Sequence, residues 1–192
     1  MAVIRFFINL YDAVFSTLQK ITEDWFLGIT ARLFFCSVLF WYFINSAFTK
    51  VGATFPDTLI PTDSAYIQIL GEKLFEQYSF SAAQIPVFPY KIIVFLGTYT
   101  EFILPVLILI GLFTRFTAVA FIFFIFVLTY VDITQHGVDV KTIGEIFDRV
   151  HNSEISDQRL LWTFPLLYLI LRGPGVLSLD FVLGKIFGYR KS

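Results

Sequence analysis

One cysteine, two histidines and 15% charged residues are what this 192-residue chain has least of. The lone Cys36 excludes an intramolecular disulfide, a CxxC redox pair and a thiolate metal cluster. Redox chemistry would therefore need a bound cofactor or a partner. A net charge of −1 leaves no basic patch for nucleic acid and no acidic tail. The sequence has no Gly-rich phosphate loop, no Ser–His–Asp pattern, no HExxH, and no paired histidines within an apolar run to hold a haem. Internal repeats and low-complexity tracts are missing too.

What fills the chain is apolar. It is 57% hydrophobic and 19% aromatic, with a mean hydropathy of +0.75, where soluble domains hold about 45–50% apolar and about 25% charged residues. The expected class is an all-α integral membrane protein, one membrane domain over 1–192. The start, "MAVIRFFINLYDAVFSTLQKITEDWF", does not read as a cleavable signal peptide, because its apolar region is broken by charges. Ile4, Phe7, Tyr11, Val14, Leu18 and Ile21 recur at helical spacing, opposite Asp12, Ser16, Gln19 and Glu23. That pattern predicts an amphipathic helix lying in the membrane interface over 1–25.

About 20 apolar residues cross the hydrocarbon, and four segments are expected to do so: 26–49, 90–112, 116–131 and 156–172. The last has a short core and contains Pro165, so a re-entrant helix is its alternative. Eight Lys and Arg residues fall on the side of the termini and six on the other. Arg115 in a tight turn and the basic tail over 173–192 sharpen the bias, so both termini are expected in the cytoplasm. The long outer loops carry helical stripes of their own. Tyr66, Ile69, Leu70 and Leu74 form one within 64–80, and Ile143, Ile146, Phe147 and Val150 form another within 139–150. Each predicts a short extracytoplasmic helix on the leaflet or capping the bundle.

The informative residues are the charges inside the spans. Glu101 stands in the middle of the second apolar run, where a charge costs about 2.5–3.5 kcal/mol on insertion scales. Arg32 and Lys50 are 18 residues apart in the first run, which puts them on one face at 3.6 residues per turn. That face should point into the bundle. An Arg32–Glu101 ion pair is the expectation, with Arg32 snorkelling to headgroups as its alternative. Pro105 has no N–H to offer the carbonyl of Glu101, so a freed acceptor and a carboxylate coincide at one residue. Gly97, four residues earlier, permits close helix approach. Glu101, Arg32 and Lys50 thus form the candidate buried polar site, either a structural lock or a proton carrier. Asp132, His136 and His151 are a weaker candidate for an outer metal site, since their spacing follows no known ligand pattern.

"RGPGVLSLD" (172–180), "EFILPVLILIGLFTRFTA" (101–118), "ARLFF" (31–35) and "FTKVG" (48–52) together resemble the DoxX family of small bacterial membrane proteins. The resemblance runs in order over about 26–182, and its carried-over positions are Arg32, Lys50, Glu101, Arg115 and Asp180. Two long outer loops and the N-terminal helix depart from the short family form, and Ser46 and Ala47 stand where a glycine is usual. The resemblance implies a four-helix transmembrane bundle in the bacterial inner membrane. It also implies a subunit of a redox or oxidative- or metal-stress assembly, linked to quinone or thiol chemistry. No cofactor is named by the residues; a quinone is the one the resemblance admits. The expected partners are the bilayer, other proteins of a membrane complex and, in one version, further copies of the chain. A non-enzymatic scaffold that recruits partner proteins is the alternative function, and a small exporter a third.

Overall fold

A computed structural model describes residues 1–22 and 25–188 of the chain. Glu23, expected on the polar side of the first helix, and Arg190 and Lys191 of the basic tail lie outside the described residues. The described residues are helical, with no strand beyond an isolated bridge between Val51 and Pro61.

Helix α1 (Ala2–Thr22) buries no residue against the rest of the chain. Its apolar side chains, Phe7, Tyr11 and Val14 among them, are all exposed. Then comes a long helix built from α2 (Phe26–Phe35), one π turn (Cys36–Phe40) and α3 (Trp41–Phe48). A π turn holds one extra residue and rotates the remainder of the helix by roughly 100° relative to a regular one. The two halves accordingly face different neighbours: α2 packs chiefly on α9 (Ser156–Arg172), and α3 on α6 (Ile92–Ile110). The single face expected to carry both Arg32 and Lys50 is therefore broken.

Helix α7 (Thr114–Thr134) packs between α6 and α9 and closes a ring of four long helices. Three stretches, Phe26–Phe48, Val87–Ile110 and Thr114–Thr134, are long and apolar enough to cross a membrane. Helix α9 has 17 residues, about 25 Å at 1.5 Å per residue. The bundle core is apolar and rich in aromatic rings, with Phe35, Phe43, Phe121, Ile108, Leu166 and Leu169 fully buried. Phe121 meets Phe35 and Phe43 edge-on at 4.9 Å.

The loop between α3 and α6 folds into a second, smaller core. Where the sequence pattern suggests one helix there are two, α4 (Asp63–Leu70) and α5 (Glu72–Glu76). Gly71 separates them at φ 86°, a conformation a helix cannot contain. Tyr66, Leu70 and Phe75 pack there against Val94 of α6. The loop between α7 and α9 departs further from expectation. Only α8 (Val140–Ile143) forms, ending at Gly144 with φ 68°. Ile146, Phe147 and Val150 are exposed instead of covered. A last short helix, α10 (Leu179–Ile186), comes after the "GPG" turn.

Candidate functional site

Glu101 finds its cation in Lys50. Lys50 Nζ lies 2.9 Å from Glu101 Oε2, and the two residues are only 4% and 3% exposed. The remaining ammonium protons go to the Ser46 carbonyl at 3.1 Å and the Ser46 hydroxyl at 2.8 Å. All three donors of the lysine are thus satisfied. The backbone of Lys50 is held by the returning loop, whose Thr62 N–H donates to its carbonyl at 2.9 Å.

The expected Arg32–Glu101 pair does not form, for a reason of helix geometry. Side chains lean toward the N-terminus of their own helix. Arg32 opens the first span and leans away from Glu101; Lys50 closes it and leans back down toward Glu101. The buried Arg32 guanidinium instead caps the far end of α6. It donates to the carbonyls of Ile108 at 2.9 Å, Leu109, and Leu177 at 2.5 Å. Gly111, in the left-handed region at φ 68°, leaves the room this needs, since a Cβ there would stand 2.9 Å from Arg32 Cζ.

Asp180 serves the same end of the bundle. Its carboxylate accepts from the N–H groups of Phe113 at 2.7 Å and Thr114 at 2.8 Å, capping the start of α7. The Asp180 N–H in turn donates to Gly111 at 2.9 Å. Arg115 is exposed beside Gly173. Arg32, Asp180 and the "GPG" turn thus build a clasp across the turn end of the bundle, well apart from Glu101.

The carboxylate of Glu101 borders a cavity of about 560 Å3 between α3, α4, α6 and α7. Ser46, Lys50, Thr100 and Glu101 line its depth. Leu96, Leu104, Phe123, Phe124 and Leu128 make apolar walls, and Gln68, Asp132 and His136 stand at the α4 end. Leu96 and Phe123 are exposed to the surroundings of the bundle, so the cavity opens sideways between α6 and α7. Gly97 lets α4 sit close over it, because a Cβ at that position would lie 3.0 Å from Ile69 Cδ1. The expectation of close approach at Gly97 thus meets a helix of the α3–α6 loop.

The weaker candidate site takes a different form. Asp132 pairs with the buried Arg159, whose Nη1 also donates to Thr129 Oγ1 at 2.7 Å. A ring nitrogen of His136 sits 2.9 Å from the carbonyl of Gln68, and His151 is exposed in the loop. Among the described residues no three His, Cys, Asp or Glu side chains gather as metal ligands. The Asp132–Arg159 pair escapes sequence reading because 27 positions separate its members. Its only signal is a basic residue at the start of one apolar helix and an acidic one at the end of another.

The family model described as DoxX matches residues 27–133, more than half of the chain. The match takes in α2, α3, α6 and nearly all of α7, and with them Arg32, Lys50, Glu101 and Arg115. It ends before α9 and before Asp180. No curated protein and no solved structure matches the chain.

Proposed function

This chain belongs to the DoxX family, and from that premise we propose that it is a membrane subunit of a redox or oxidative-stress assembly that binds a quinone beside Glu101. The observation that carries this reading is a buried carboxylate–ammonium pair on the wall of a largely apolar cavity that opens between α6 and α7. A ring-bearing lipophile fits such a space: its ring between Phe123, Phe124 and Tyr42, its polar edge toward Thr100 and Glu101. Lys50 already satisfies one carboxylate oxygen. An ionised carboxylate has about four acceptor positions, so Glu101 keeps capacity to take a hydrogen bond, and then a proton, from a bound hydroxyl. In this reading α9 is the fourth span, and both termini face the cytoplasm of a bacterial inner membrane.

The test is thermal unfolding of the purified protein with and without a short-chain ubiquinone analogue. Stabilisation that depends on quinone concentration, and is reduced in Glu101→Gln and Phe123→Ala, is expected. No shift in the wild type, at concentrations that saturate known quinone proteins, sinks the reading.

A scaffold role has one observation of its own. Val140, Ile146, Phe147 and Val150 are exposed together in a loop that also carries Glu145, Asp148 and Arg149, the mixed character of a recruiting surface. If this loop recruits a protein, Ile146→Ser with Phe147→Ser removes a co-purifying partner and leaves the bundle folded. Retention of the same partners counts against it.

A further inference from the structure

The two ends of the bundle differ in how they treat Glu101. Toward the α10 end, the space below the carboxylate is filled. Leu104, Ile108, Phe121 and Leu169 are 9% exposed or less and belong to one continuous apolar core. Below that core, Arg32 and the Asp180 clasp close the end with satisfied hydrogen bonds. Toward the α4 end, the cavity continues from Glu101 to Gln68, Asp132 and His136. Its volume of about 560 Å3 far exceeds the roughly 10–15 Å3 of probe volume one water needs, and its polar groups recur along its length as water requires.

Tyr42 links the two polar levels. It lines the same cavity as Glu101 and Asp132. The charged partner of Glu101 is Lys50, just past the end of α3, and Asp132 of α7, paired with Arg159 of α9, lines the same cavity toward its Gln68 end. Arg159 Nε is buried without a hydrogen-bond partner, so this outer pair keeps an unused donor.

We infer that the Lys50–Glu101 pair communicates with water on the α4 side of the membrane only, through this cavity, and is sealed from the α10 side. A proton taken up or released at Glu101 would then exchange with that one face. Intramembrane carboxylates face the bundle interior or a water-filled cavity and mark proton relays, and here polar groups continue to one side of Glu101 while an apolar core fills the other. Access of this kind depends on α3, α6 and α7 crossing the bilayer. It is independent of what the cavity binds.

The test is labelling of single cysteines by a membrane-impermeant trimethylammonium methanethiosulfonate. The chain's one native thiol is removed by Cys36→Ser, and the protein is reconstituted in vesicles of known orientation. Gln77→Cys in the outer loop and Arg115→Cys in the turn calibrate the faces, both sites being exposed. They should label from opposite sides; labelling from the same side would overturn the spanning arrangement itself. Thr100→Cys and Leu128→Cys, both on the cavity wall, should label from the Gln77 side alone. Ile108→Cys, in the plug, should label from neither. With the calibrants on opposite faces, labelling of Thr100→Cys and Leu128→Cys from the Arg115 side, or from neither side, overturns one-sided access. Two wall positions are used so that a misfolded variant at one does not decide the outcome.

Discussion

Lys50 Nζ stands 2.9 Å from Glu101 Oε2 with both side chains almost wholly removed from the surface. A buried pair of this kind is held in place by mutual need: each charge is costly alone, and the pair together is close to neutral against a well-packed apolar substitute. Lys50→Met leaves the carboxylate unpaired and should lower stability by about 3–5 kcal/mol. Glu101→Leu, which strands the ammonium, should act in the same direction. The double variant Lys50→Met/Glu101→Leu should regain most of that loss. Thermal unfolding in one detergent measures all three, and a double variant as unstable as the sum of the singles would mean the pair is not the unit.

Asp180 is tied to two consecutive amides at the start of α7. Loss of a helix cap costs about 0.5–2 kcal/mol, so Asp180→Ala should destabilise by about that amount. The sharper readout is local. Amide exchange at Phe113 and Thr114 should accelerate, while the core amide of Ile125 stays protected. Uniform acceleration through α7 would point to general unfolding in place of a lost cap.

Gly28 faces the "GPG" turn so closely that a Cβ would lie 2.6 Å from Gly175 N and 2.7 Å from the Pro174 carbonyl carbon. Both are backbone atoms, so the turn itself must move. Overpacking of a tight contact costs typically about 1–3 kcal/mol, and Gly28→Ala should lower the unfolding temperature correspondingly. An unfolding temperature equal to the wild type's would show that α2 and the turn are not in contact in the membrane.

The sequence makes some of these relationships readable and hides others for definite reasons. Long apolar runs announce the helices, because length and hydropathy are properties of contiguous residues. Glu101 announces itself by its cost. Its partner could not be chosen from residue counting alone, since that treats a side chain as reaching equally up and down its helix. The N-terminal lean of the side chain decides for Lys50 over Arg32. The π turn at Cys36–Phe40 has no sequence mark here, yet it separates the faces of those two basic residues. In the two long loops, periodicity predicts helices where Gly71 and Gly144, both at positive φ, cut them short. The role of Asp180 at the α7 amides joins positions 66 and 67 apart, and no local pattern carries that.

The loop between α7 and α9 supplies a prediction outside the candidate spans. Asp139 is the N-cap of α8, and its Oδ1 accepts from the Thr142 N–H at 2.6 Å. That backbone bond, with the further hydrogen-bond contribution of Thr142 and the nearby Lys141 charge, holds the carboxyl below its ordinary range. A carboxylate whose folded value is depressed favours the folded turn above the unfolded value, about 3.9 for Asp. The contribution then falls away as pH drops through the depressed value. The Thr142 amide shift should therefore titrate with a midpoint below about 3.9, and Asp139→Asn, which caps without ionising, should abolish the titration while preserving the turn. A midpoint at or above the ordinary Asp value would show that the carboxylate does not hold the Thr142 amide in solution.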